Sequence, residues 1–195
     1  LVVPVDYTFA EFHKIIQRAF GWKDYHLLEF FVFDHRRKTY RFQGPNHPAS
    51  HPEGYDPIIQ LVGDEQSLDY QEDIPMELDH TVKLAEYVYK YNSMKYVYDF
   101  GDDWRHTIEV EKTLFIDDKN YPVCIDGEGK TPPEDVGGAY AYEEFLCVIE
   151  DKDAPDREYM MTWAESQGYA EFDIDMVNRR LRFFARELSF APQIS

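Results

Sequence analysis

Asp102, Asp103 and His106 fall within five residues of one another in the segment Tyr98-Asp-Phe-Gly-Asp-Asp-Trp-Arg-His106. Carboxylate oxygens and imidazole nitrogens are the donors that hold Mg²⁺, Mn²⁺ or Zn²⁺. A metal held that way activates water for hydrolysis. A second stretch, Pro132-Pro-Glu-Asp-Val-Gly-Gly138, adds Glu134 and Asp135 as candidate ligands. Both stretches carry glycine, which lets backbone approach closely. Grouped carboxylates repel unless a cation or hydrogen-bond donor satisfies them. If chemistry resides in this chain, it is expected where the Gly101–Asp103 turn meets the Pro132–Gly138 loop.

The same residues carry a purely structural reading. Asp102 and Asp103 suit a tight turn, Asp99 is expected opposite Arg105, and His106 shares an apolar face with Tyr98. Glu134 and Asp135, after Pro132 and Pro133, suit a turn or a helix N-terminus. Other candidates are weaker. His26 and Glu29 are three apart and point to opposite faces of a strand. His47 and His51 lie in a proline-rich loop and are expected to face solvent. No Gly-x-Ser-x-Gly, P-loop or dinucleotide-binding glycine pattern occurs. Gly127-Glu-Gly129 sits among acids, the wrong setting for phosphate. Cys124 lacks a basic partner nearby in sequence and reads as a buried thiol.

Elements must position these groups. Thr8-x-x-Glu11 fits a capping box opening a helix, and Phe9, Phe12, Ile15, Ile16, Ala19 and Phe20 recur at helical spacing. Gly21 suits its left-handed stop. Leu27 to Asp34 is apolar on both faces, the mark of a central strand. Lys38 to Gln43 is expected as its hairpin partner across His35-Arg36-Arg37. A Pro/Gly-rich loop leads to a strand at 58–62, and 82–89 predicts a short helix. Strands are expected at 94–100 and 104–115, and a short one at 121–125. Leu1 to Val5 reads as the end of another. Three helices, near 139–150, 155–166 and 174–188, close the chain. Val177, Leu181, Phe184 and Leu188 form the buried stripe of the last.

Register sharpens the hairpin. Met94, Tyr96, Tyr98 and Phe100 share one strand face, and Trp104, His106, Ile108 and Val110 another. Both sets lie on one side only if paired residue numbers sum to an even value. A Gly101-Asp102-Asp103 turn does this, with Phe100 facing Trp104 and Tyr98 facing His106. The class is α+β: a mainly antiparallel twisted sheet, an early helix and a C-terminal group of helices. A single domain over 1–195 is expected.

Charge filters function. The chain has 195 residues, 20 Lys+Arg against 38 Asp+Glu, and a net charge of −18. Nucleic-acid affinity rests on cations at phosphate, so no appreciable duplex binding is expected. Arg179, Arg180, Arg182 and Arg186 are the one basic cluster, read as neutralising the protein's own acidic surface. The aromatic content of 16% is core material, with Tyr87, Tyr89 and Tyr91 as a candidate interface. No apolar run reaches the length of a membrane span, and no leader pattern opens the sequence. Cys124 and Cys147 predict reduced thiols in the cytoplasm.

The Tyr98–His106 segment and Pro132-Pro-Glu-Asp-x-Gly-Gly138 together resemble a known family. Phe12-His13, Ile16-Gln17, Gly21-Trp22 and His26-Leu27-x-Glu29-Phe30 extend the match. So do Tyr142-x-x-Phe145-Leu146, Trp163, Phe172-Asp173 and Val177-Asn178-Arg179-x-Leu181. The chain is similar to the hairy-root plasmid open-reading-frame-three-like proteins, whose relatives include TnpR-like passengers of insertion elements. Tyr98, Asp99, Gly101, Trp104, Pro132, Pro133, Gly137 and Gly138 are the motif residues. The family pattern carries a further strand ahead of Leu1, and often cysteine at Val136 and arginine at Lys130. The resemblance implies a fold and a mobile-element association, not a reaction. The serine-among-arginines setting that serine recombination needs is missing here.

The leading reading is an accessory or binding module acting on a protein or peptide partner, with no cofactor. The alternative is a metal-dependent hydrolase using Asp102, Asp103, His106, Glu134 and Asp135. A transposition-related DNA-binding regulator is the third reading, which the charge opposes.

Overall fold

The computed structural model describes residues 1–195 apart from positions 43, 45, 46, 72, 116–120 and 191–195. In chain order come α1 (Phe9–Phe20), β1 (Leu28–Lys38) and β2 (Tyr55–Val62). A 3-10 turn at Glu65–Tyr70, β3 (Met76–Leu78) and α2 (Ala85–Val88) follow, then β4 (Ser93–Tyr98) and β5 (Trp104–Glu109). The chain closes with α3 (Gly138–Glu150), α4 (Arg157–Ser166) and α5 (Ile174–Phe190). The fold is α+β, with a sheet ordered β3-β2-β1-β4-β5 in which the β2–β3 pair is parallel and the rest antiparallel.

The chain divides into two compact units. One joins Val5–Phe12 to His26–Asp118 and contains the sheet; the other joins Leu1–Pro4, His13–Tyr25 and Lys119–Ser195 and contains α3, α4 and α5.

In the sheet unit, the capping box opens α1. Thr8 N–H donates to Glu11 Oε2 at 2.7 Å, and Glu11 N–H donates to Thr8 Oγ1 at 3.2 Å. These bonds satisfy donors that the first helical turn leaves open. Phe9 and Phe12 pack on Phe30, with ring centroids 5.3 and 5.8 Å away. The central strand β1 is buried on both faces from Leu28 to Phe33. One face carries Leu28, Phe30 and Val32 beside Tyr98, Tyr96 and Met94 of β4. The other carries Glu29, Phe31 and Phe33, with Phe31, Phe33, Ala49, Ile74 and Val97 forming its core cluster.

Several expectations are corrected. Of the strand expected at Lys38–Gln43, Gln43 lies outside the described residues and the rest is not a hairpin partner: β1 runs on through Lys38, which pairs with Tyr55 after a register shift beyond Asp34. The charged run His35-Arg36-Arg37 occupies that irregular stretch rather than a turn. Pro57 lies inside β2, opposite Phe33, beside a second shift between Val32 and Phe33. Such an irregularity is where a strand tolerates proline. The strand expected to reach Phe115 ends at Glu109. For the strands expected at 1–5 and 121–125, the structure has the single bridge Val2–Val123. Tyr91 is buried and Tyr87 packs against it at 6.2 Å, so of the three tyrosines Tyr89 is the exposed one.

In the helical unit, Gly21 takes φ +82° and ends α1. A Cβ there would sit 2.5 Å from the Arg180 guanidinium, so glycine meets both a backbone and a space requirement. Phe145, Ala164 and Tyr169 form the core, joined by Val136, Tyr142, Leu146 and Trp163. Val177, Leu181 and Phe184 are the buried stripe of α5. Asn178 clasps Cys124, accepting its N–H and donating to its carbonyl, both at 2.9 Å. Cys124 is a buried free thiol and Cys147 an exposed one.

Candidate functional site

The Tyr98–His106 motif builds a turn longer by two residues than its spacing predicts. Tyr98 pairs with Trp104, Tyr96 with His106 and Val97 with Arg105. The even parity holds, so His106 and Tyr98 share a face, but Phe100 leaves the strand and Asp99–Asp103 form the connection. Asp99 explains the extra length. It takes φ +56°, and its Oδ1 accepts the N–H groups of Gly101 at 3.0 Å and Asp102 at 3.3 Å. An aspartate that bonds backbone N–H groups ahead of it makes its own turn. Asp103 also has positive φ, and its N–H donates to the Asp99 carbonyl at 2.6 Å. His26 Nε2 lies 3.5 Å from Asp99 Oδ2. Asp99 is buried, so Asp99→Ala deletes a carboxylate serving two N–H groups and puts alanine at positive φ. It is expected to cost about 2 kcal/mol, with Asp99→Asn costing less, both measured by urea unfolding.

The residues proposed as metal ligands divide between the units. Asp102, Asp103 and His106 belong to the sheet unit, and Glu134 and Asp135 to the helical unit. Asp103 Oδ1 accepts from Arg105 Nε at 2.7 Å. Arg105 and His106 are consecutive in β5, so their side chains leave opposite faces of the sheet. His106 lies against Tyr96, with centroids 5.5 Å apart, and burial lowers its pKa below the usual histidine value. In the helical unit, Glu134 Oε2 accepts Lys23 N–H at 2.7 Å, and the Pro132 carbonyl accepts Trp22 Nε1–H at 3.0 Å. The Pro-Pro-Glu-Asp loop therefore ties down the chain leaving α1. Asp135 is exposed at φ +60°, and Gly137 at φ +97° precedes α3.

A different site stands on the Glu29–Phe31–Phe33 face of the sheet. A cleft of about 330 Å³ is lined by Glu29, Phe31 and Gln60 from the strands, and by Pro48 and Ala49 from the β1–β2 loop. Ser67, Tyr70, Asp73, Ile74 and Met76 form another wall, and Phe100 reaches it from the motif turn. The family signature thus contributes an aromatic side chain to the cleft.

Glu29 is its unusual member. It is 7% exposed, and its carboxylate accepts from Gln60 Nε2 at 2.7 Å. Burial raises the carboxyl from 4.5 to about 7, against the lowering influence of Gln60 and Arg105. A carboxyl poised near neutrality in a cleft is a mark of a functional position. The two cations of this face are bonded elsewhere. Lys95 Nζ donates to the carbonyls of Pro48, at 3.0 Å, and Ser50, and its burial lowers its pKa to about 8. Arg105 holds Asp103 and reaches the His47 carbonyl at 3.4 Å. Together they fasten the loop that forms the cleft's wall. His51 helps: it lies 3.1 Å from Ser93 Oγ and packs between Phe33 and Tyr55, so it is structural rather than solvent-facing.

Spacing alone did not point here. In the sequence Glu29 stands out only by its spacing from His26 and as part of the His26-Leu27-x-Glu29-Phe30 match. The signal that could have found it is one acid inside a run of aromatic and aliphatic residues buried on both faces.

These features define an α+β protein with an acid-floored cleft on its sheet and no helix, among the described residues, long and apolar enough to cross a membrane. The chain belongs to the plasmid pRiA4b ORF-3-like family, whose model matches residues 1–181. It is 30% identical over 173 residues to the uncharacterized protein y4hQ of Sinorhizobium fredii (strain NBRC 101917 / NGR234), covering 87% of this chain and 74% of that protein. It is similar to the crystal structure of a protein of unknown function, MM3350, from Methanosarcina mazei Go1. The TM-score is 0.65 at 28% identity, over 89% of this chain and 84% of the other.

Proposed function

We propose that this chain is a non-enzymatic binding module, acting in the cytoplasm, that takes a segment of a protein partner in the cleft of its sheet unit. The observation that carries the reading is the cleft itself: aromatic and aliphatic walls around one buried, half-satisfied carboxyl. Ligand sites combine an apolar lining with a few placed polar groups, and run from about 300 to 1,000 Å³. At about 330 Å³ this one suits one or two side chains of a peptide rather than a nucleotide or a large cofactor. The net charge of −18 favours a protein partner over duplex DNA.

A peptide-display selection tests this. Synthetic copies of enriched peptides are titrated by fluorescence anisotropy against wild type and Met76→Trp, which puts an indole into the cleft from the short strand β3. Binding is expected to weaken by about tenfold or more, the loss of one good contact, with thermal unfolding by circular dichroism confirming that the variant is folded. Failure to enrich any peptide, or equal binding by folded Met76→Trp, overturns the proposal.

A further inference from the structure

We infer that the group the cleft holds is a cation on an aliphatic stem, a lysine or arginine side chain of a basic peptide, seated with its charge against Glu29. The inference rests on the binding-module reading above and supplies its specificity.

The composition of the lining argues for it. Glu29 and Asp73 are lining carboxylates, and no Lys or Arg is among the lining residues described. Asp73 stands at the rim in a pair with Arg41 at 2.7 Å, with both side chains about half exposed or more. Glu29, by contrast, is inside, and Gln60 occupies only one of its oxygens. A buried carboxylate without a paired charge is unfavourable, and an incoming cation with N–H donors relieves that cost. Phe31, Phe42, Tyr70 and Phe100 supply aromatic surface for the stem and for cation–π contact. The lysine and arginine of this face, Lys95 on β4 and Arg105 on β5, hold the Pro48, Ser50 and His47 carbonyls and Asp103, so the cations of this face are engaged elsewhere. The acidity of the whole chain draws basic partners toward it.

Binding should also depend on pH in a stated direction. Cation binding needs ionised Glu29, whose carboxyl sits at about 7 in the free protein. Affinity therefore falls as pH is lowered from 8 to 6. The other groups facing Glu29 are Gln60, Lys95, Arg105 and Asp103 on the sheet and its turn, with His47 and Asp73 in the walls. Glu29→Gln separates its contribution from theirs.

The test uses ¹⁵N-labelled full chain titrated with N-acetyl-lysine methylamide and with its norleucine counterpart, which keeps a similar stem and lacks the amine. The lysine probe is expected to shift the Glu29, Gln60 and Ser67 amides at pH 8. The norleucine probe should bind about tenfold or more weakly, and Glu29→Gln should abolish the difference. Equal binding of the two probes, or an unchanged preference in Glu29→Gln, overturns the cation inference while leaving the cleft as a binding site. If neither probe moves those amides at about 50 mM, the inference also fails. Display peptides that still depend on Met76 would then show that the cleft reading survives it.

Discussion

Glu29→Gln is expected to stabilise the chain at pH 8 by about 2–3 kcal/mol and to leave it nearly unchanged at pH 4.5. Burial holds the folded carboxyl at about 7 against an ordinary 4.5. Between those values the folded state binds more protons than the unfolded state. Stability in the wild type therefore falls as pH rises through that window and is level above it. The full penalty on the ionised form is about 3 kcal/mol. At 7% exposure, solvent screening discounts it little. Glutamine keeps the shape and carries no charge to desolvate, so it removes the penalty, less whatever the Gln60 hydrogen bond loses. Urea unfolding at both pH values measures this. Equal stability of wild type and variant at pH 8 would mean that water or a neighbouring cation already compensates the charge.

The helices were the most legible part of the sequence because their signals are local. Thr8 and Glu11 sit three apart, Gly21 follows the last apolar position, and α1 occupies the span between them. The β4–β5 pairing was legible only modulo two residues. Alternation fixes which face a side chain takes, and a slip of two leaves every face unchanged. Parity alone could not distinguish a Phe100–Trp104 pair from Tyr98–Trp104. What decided it was the Asp99 carboxylate, whose bonds to Gly101 and Asp102 make a five-residue turn more favourable than a three-residue one. The false hairpin at 38–43 has a similar origin. Three consecutive basic or histidine side chains look like a turn, yet an irregular, exposed strand end carries them as well.

The cleft was not legible, for a different reason. Glu29, Gln60, Lys95 and the 47–50 loop are far apart in sequence and meet only through the order of the strands. Gln60 lies opposite Phe31 on one side and Lys95 opposite Phe31 on the other, which brings all three polar residues onto one face. That order depends on long-range pairing, which no local pattern encodes. Two of the acids in the segments around Asp102 and Glu134 hold other groups of the protein. Asp103 holds Arg105, and Glu134 holds the Lys23 backbone.

Phe30→Ala is expected to destabilise the chain by about 3–5 kcal/mol, the largest single-residue effect foreseen here. Phe30 is fully buried in the central strand, opposite Tyr96 of β4 and Leu61 of β2. Its ring meets Phe9 edge-on at 5.3 Å, Phe12 stacked at 5.8 Å and Tyr96 at 4.7 Å. Removing it therefore loses the ring's own transfer energy and three aromatic contacts, and opens a cavity. The cavity cannot close cheaply. Phe30 lies between two hydrogen-bonded neighbours, so its backbone is held, and the Thr8–Glu11 capping box holds the start of the helix above it. Phe30→Leu, which keeps most of the volume, should cost well under half as much. Denaturant midpoints for the two variants check the prediction. A loss below about 1 kcal/mol for Phe30→Ala would show that α1 collapses onto the sheet without it. Phe31, on the opposite face, offers the contrast. It also lies in β1 and is buried in the core cluster of that face, but it lines the cleft as well. Phe31→Ala should therefore cost stability through the lost core contacts and, on the binding reading proposed above, also weaken peptide binding, which Phe30→Ala should do only through unfolding.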